Sequence, residues 1–163
     1  MSDLDIRSFS AKVSRGQILI VFWKILIAFI LVAVTVSVHA VGLAALLKAL
    51  VKSHAQLPTR FWPVTWLLIR VTWALIFIHV TEIAVWALFY LWAGCLPDAR
   101  SAFYFSGVTY ATVGYGDLVL VEPWRMLAPI EGLTGILMCG LSTGLFFVVV
   151  SRLFSNAFRV KTS

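Results

Sequence analysis

Thr112-Val113-Gly114-Tyr115-Gly116-Asp117 stands between two apolar stretches, each long enough to cross a bilayer. A polar hexapeptide with glycine at alternate positions is unusual in that setting. Glycine takes positive φ as readily as negative. Gly114 and Gly116, interleaved with L-residues, therefore let the backbone alternate in hand, so that successive carbonyls point the same way. Several such strands around an axis would stack rings of carbonyl oxygens able to replace the water around a cation.

Composition sets the class. Of 163 residues, 61% are hydrophobic and 12% charged, and the mean hydropathy is +0.98. A water-soluble domain of this size could not hide so much apolar surface, so the chain reads as an integral membrane protein. Thirteen Lys and Arg against seven Asp and Glu make it basic. In a membrane protein that balance reflects topology and anionic headgroups, and no nucleic-acid partner or organic substrate is expected. Most of the seven Trp fall close to predicted helix ends, as an aromatic belt would place them. Cys95 and Cys139 form no disulfide framework. The first apolar run is too long for a cleavable signal and lacks a small-residue cleavage site.

Working outward, residues 1–16 read as a polar tail. Residues 17–51 are apolar except for Lys24, His39 and Lys48, and exceed the roughly 20 residues a span needs. Residues 52–62 contain a proline and read as a loop. A second span covers 63–92, interrupted by Arg70, His79 and Glu82. His79 and Glu82 share a helix face. They read either as a hydrogen-bonded packing pair or as a proton-sensing pair that makes gating depend on pH. Pro97 and Asp98 signal the start of a helix over 99–111. At about 20 Å it is too short to span and would be re-entrant. The inner span covers 124–154, and 155–163 is a basic tail suited to cytoplasmic anionic lipid. Glu131 in that last span needs a partner, for which Arg125, the Tyr115 hydroxyl and Glu82 are candidates. The three histidines, His39, His54 and His79, lie on separate segments without ligand spacing. No nucleophile–base pair or phosphate loop suggests an enzyme.

TVGYGD resembles the selectivity-filter signature of potassium channels. Residues 63–154 resemble the outer helix, pore loop and inner helix of the bacterial ion-channel family, to which residues 17–51 would be an added helix. The resemblance implies an all-α membrane protein with three transmembrane helices, a re-entrant pore helix and a filter loop over 112–117. It implies a homotetramer that conducts potassium passively across the bacterial inner membrane without an organic cofactor. Backbone carbonyls of Thr112, Val113, Gly114 and Tyr115 would coordinate potassium ions, with the Thr112 hydroxyl below and Gly116 at the mouth. Asp117, Tyr104, Phe105, Thr109 and Glu131 would support the filter. Ala111 stands where the family often has threonine. Gly135, 18 positions beyond Asp117, resembles the family's hinge glycine, with plain close packing as the alternative. Cys139 and Thr143 would line the cavity, and Phe146 or Phe147 would narrow its inner end.

A filter mouth facing outward puts the C-terminus and the 52–62 loop in the cytoplasm. Three spans then put the N-terminus outside, against the charge of its own Lys and Arg, unless the first stretch lies along the bilayer instead. A series of voltage-sensing arginines is absent from the spans. A nonselective cation channel and a non-conducting accessory subunit are the competing readings.

Overall fold

The computed structural model describes residues 3–53 and 61–161, with side chains over 19–52, 61–122 and 124–155. Four α-helices follow in order: α1 (Asp3–Ser53), α2 (Phe61–Trp92), α3 (Ala99–Tyr110) and α4 (Leu127–Lys161), with a 3-10 turn at Glu122–Trp124 before α4. Strands are absent among the described residues. Within α1, α2 and α4, the segments Leu19–Lys52, Phe61–Trp92 and Leu127–Ser155 are long and apolar enough to cross a membrane. The described residues are those of an all-helical membrane protein with three long helices and one short one, α3.

Two boundaries differ from the sequence reading by more than three residues. Helix already begins at Asp3, inside the stretch expected as a tail, and α4 continues through 155–161. No proline interrupts either stretch, and a helix begun in an apolar span propagates through such residues at little cost. The turn expected at 52–62 falls mostly on residues 54–60, outside the described ones, together with His54.

Helix α1 lies antiparallel to α2. Thr35 pairs with Trp86, His39 with Glu82, and Gly42 with Ile78, so positions climb along one helix as they descend the other. A Cβ on Gly42 would lie 2.7 Å from the Ile78 side chain, so glycine there permits the close approach. The polar rungs separate two apolar clusters. One joins Ala28 and Leu31 to Trp86, Ala87, Tyr90, Ala102, Phe105 and Leu127. The other joins Leu67, Val71, Leu75 and Ile78 to Leu153, with Leu43, Leu46 and Leu50 packed against it. Helix α1 therefore runs alongside α2 over this length.

Helix α3 starts where the sequence signals it. Asp98 is extended, and its Oδ1 accepts the Ser101 backbone N–H at 2.9 Å while Oδ2 accepts the Ser101 hydroxyl at 2.9 Å. The Ser101 backbone bond, and then its hydroxyl, hold the Asp98 carboxyl below the usual carboxylate range. A carboxyl lowered on folding contributes stability above its unfolded value of about 3.9 and loses it as pH falls through the folded value. Asp98→Ala should lower thermal stability at neutral pH, and the gap to wild type should close as the protein is acidified below that range. Asp98→Asn, which still caps, should recover much of the loss without the acid dependence. Unfolding temperatures across pH in detergent check both.

Candidate functional site

The Thr112–Asp117 loop leaves the C-terminal end of α3 and is held there by main-chain bonds. Thr112 N–H donates to the Thr109 carbonyl (2.9 Å), and the N–H groups of Val113 and Gly114 both donate to the Val108 carbonyl (2.8 and 3.3 Å). Every second residue of the loop then has positive φ: Thr112 at 59°, Gly114 at 57° and Gly116 at 76°. The glycines take this hand freely. Thr112 does not. It is the one non-glycine residue at positive φ among the described residues, and a β-branched residue held there stores roughly 1–3 kcal/mol of strain. The sequence marked the glycines but gave no sign that the alternation begins at threonine.

Two residues on α3 brace the loop differently. Tyr104 reaches forward, its hydroxyl donating to Asp117 Oδ2 at 2.8 Å. Phe105 turns back into the core and meets Tyr90 edge-on at 5.4 Å between ring centroids. Thr109, Thr112 and Tyr115 line a cavity of about 360 Å³ together with Tyr104, Arg125 and Pro129. Val113 and Tyr115 themselves are exposed on the single chain.

Gly135 is where α4 receives the end of α3. A Cβ added there would run into the Tyr110 carbonyl oxygen, and one on Gly132 would lie 3.3 Å from the Thr109 carbonyl. The two glycines, one turn apart, form a groove for the last carbonyls of α3. At Gly135 the close-packing alternative thus has a defined contact.

Glu131, fully buried, has none of the three partners considered for it. Tyr90 Oη donates to its Oε2 at 2.7 Å. The Ser106 hydroxyl lies 2.5 Å from its Oε1 and 2.9 Å from the Ile83 carbonyl, donating to one at a time. Arg125 instead pairs with Glu122 at 2.5 Å on the surface. One carboxylate therefore fastens α2, α3 and α4 together behind the loop.

His79 and Glu82 do meet, with His79 Nδ1 3.1 Å from Glu82 Oε2, but they are half of a larger network. His39 of α1 points Nδ1 at Glu82 Oε1, 2.8 Å away. The Tyr110 hydroxyl, from the last residue of α3, donates to Glu82 Oε2 and lies 3.0 Å from His79 Nδ1. The histidines judged unrelated by spacing thus have ring centroids 5.5 Å apart. His39 is buried, and its Nε2 has no hydrogen-bond partner among the described residues. One turn away, Trp86 Nε1 donates to the Thr35 hydroxyl at 3.0 Å, and that hydroxyl donates to the Leu31 carbonyl at 2.9 Å. Thr35→Val keeps the shape but strands a buried indole N–H. It should cost about 1–2 kcal/mol, read as a lowered unfolding midpoint in detergent, while Trp86→Phe in the same background should add no further hydrogen-bond loss.

On α4, Cys139, Thr143 and Phe147 succeed one another at four-residue spacing and are all exposed on the single chain. Phe146 points elsewhere and packs with Leu145 and Val149 against the cluster of Leu67, Val71 and Leu153. Of the two phenylalanines considered for a constriction, Phe147 is exposed as Cys139 and Thr143 are, whereas Phe146 is half-buried. Cys95 is buried beside Leu96, and desolvation pushes its thiol pKa up.

No curated protein and no solved structure matches the chain. Residues 73–152 match the family described as Ion channel. The matched range opens within α2, takes in α3, the Thr112–Asp117 loop and most of α4, and excludes α1. A short helix ending on a loop of alternating backbone hand, set between two long apolar helices, thus lies at the centre of the segment that is similar to the ion-channel family.

Proposed function

We propose that the protein is a potassium-selective channel in which four copies place their Thr112–Asp117 loops around one axis. The observation that carries this reading is the positive φ at residues 112, 114 and 116. A backbone that changes hand at each step turns its carbonyls to one side, and four such strands make stacked oxygen cages. Carbonyls of Thr112, Val113, Gly114 and Tyr115 would replace the hydration shell of potassium, with Gly116 at the mouth. Asp117, tied to Tyr104, clamps the outer end. The C-terminal end of α3 adds partial negative charge below.

In this assembly Val113 and Tyr115, exposed on one chain, brace against neighbouring copies, and the face of Cys139, Thr143 and Phe147 turns toward the axis. The protein sits in a bacterial inner membrane with the end of α4 in the cytoplasm, where Arg152 and the residues beyond it meet anionic lipid. The start of α1 then lies on the opposite side.

Purified protein in liposomes should pass potassium, resist sodium and be blocked by barium. Reversal potentials near the potassium equilibrium value in mixed sodium and potassium are the expected result. Equal permeability would favour a nonselective cation channel, and absence of flux would favour an accessory subunit.

A further inference from the structure

The cluster at the junction of α1, α2 and α3 has a composition that the hydrogen bonds alone do not account for. Two imidazoles, from helices far apart in sequence, turn the same nitrogen, Nδ1, toward one carboxylate, each taking a different oxygen. A phenol completes the group. One ligand atom from each of His39, His79 and Glu82 can be chosen so that all lie within 4.8 Å of one another. His39 and Glu82 are buried and His79 is partly open, which leaves one side for entry.

We propose that His39, His79 and Glu82, with Tyr110 as a fourth donor, bind a divalent transition-metal cation of the zinc class. Two nitrogens and two oxygens suit a borderline metal such as zinc or cobalt, whereas magnesium and calcium take oxygen-only shells. A tetrahedral shell with bonds of roughly 2.0–2.1 Å sets its donors about 3.3 Å apart. The two Nδ1 atoms stand 2.8 and 3.1 Å from different oxygens of the carboxylate, so one imidazole must shift as a single oxygen takes the ion, starting from donors that already lie within 4.8 Å of one another. Charge points the same way. The cluster lies between two apolar layers, where a net charge is expensive. A divalent ion balanced by one carboxylate and one phenolate, with two imidazoles that bring no charge, leaves the site neutral. Among the described residues, the polar contact of His39 is with this cluster, since its Nε2 has no partner there.

The site is independent of the selectivity proposed above and fastens the added helix α1 to the residue immediately before Ala111. Tag-free protein, stripped with a chelator and kept in detergent, is titrated with zinc by calorimetry and with cobalt by visible absorption. One ion per chain is expected, with the intense ligand-field bands of four-coordinate cobalt. His39→Gln and His79→Gln should each weaken binding by at least ~10-fold. His54→Gln, at the third histidine, should leave it unchanged. Failure to bind a stoichiometric ion overturns the proposal, as does equal binding by His39→Gln and wild type. Should the histidine variants not assemble, the cobalt spectrum of the native chain decides: weak bands of six-coordinate aqua cobalt reject the site.

Discussion

Gly135→Ala should destabilise the protein by at least ~3 kcal/mol, enough to lose most of the folded material on extraction into detergent. The sign of this effect is what makes it informative. In an unobstructed helix, replacing glycine by alanine stabilises by about 1 kcal/mol, because alanine loses less backbone freedom. At Gly135 the new methyl would overlap the Tyr110 carbonyl oxygen and press on its carbon and Cα. All three are backbone atoms, so no rotamer change relieves the overlap, and α3 must back away from α4. Overpacking typically costs about 1–3 kcal/mol and exceeds that when the neighbour cannot yield. Gly140 is the internal control, since a Cβ there meets nothing within 4 Å of its own chain. Tryptophan-fluorescence melting of the two variants tests the contrast. An unchanged or raised midpoint for Gly135→Ala would mean that α4 and α3 do not touch there, and a hinge would regain its appeal.

Gly116→Ala should abolish selective potassium flux while leaving the helices intact. Gly116 holds φ at 76° and Gly114 at 57°. An L-residue in that region costs about 1–2 kcal/mol relative to glycine. Because four copies would share one pore, the strain recurs at every corner, several kcal/mol in total. Thr112 already stores strain of this kind two positive-φ positions earlier. A loop with a strained residue at its base has little tolerance left, so alanine at 116 should flip the peptide and withdraw a carbonyl ring. Liposome flux with reversal potentials in mixed salt is the measurement, and circular dichroism checks that the helices survive. Wild-type flux and selectivity in Gly116→Ala would remove the alternating backbone as the basis of conduction.

The parts of this fold that a reader of the sequence could see are those set by local chemistry. Asp98 announces the start of α3 because a cap acts within three residues. The apolar runs announce the long helices by length alone. Alternate glycines at 114 and 116 announce an unusual backbone. Contacts between distant residues were not legible. His39 meets Glu82 across 43 positions and Tyr90 meets Glu131 across 41, and hydropathy carries no record of which helix faces which. Helices that are apolar all round, as α1 and α2 are, have no moment to orient them. Gly42 and Thr35 were signals of a kind: a glycine and a hydroxyl at spacings that place them, with His39, on one face of α1. Phe146 and Phe147 show the same limit more sharply, since one residue of register separates a half-buried position from an exposed one.

The rungs between α1 and α2 recur once per turn, Thr35 to Trp86 and then His39 to Glu82, with Gly42 seated on Ile78 below. Such a fastening behaves like a ratchet with widely spaced teeth. A slip of one residue turns each side chain by roughly 100° and disengages every rung together, so the next resting place lies a whole turn, about 5.4 Å, away. Helix α1 is consequently locked in translation against α2 and can yield only by tilting or peeling off, which makes it a stiff brace rather than a sliding one.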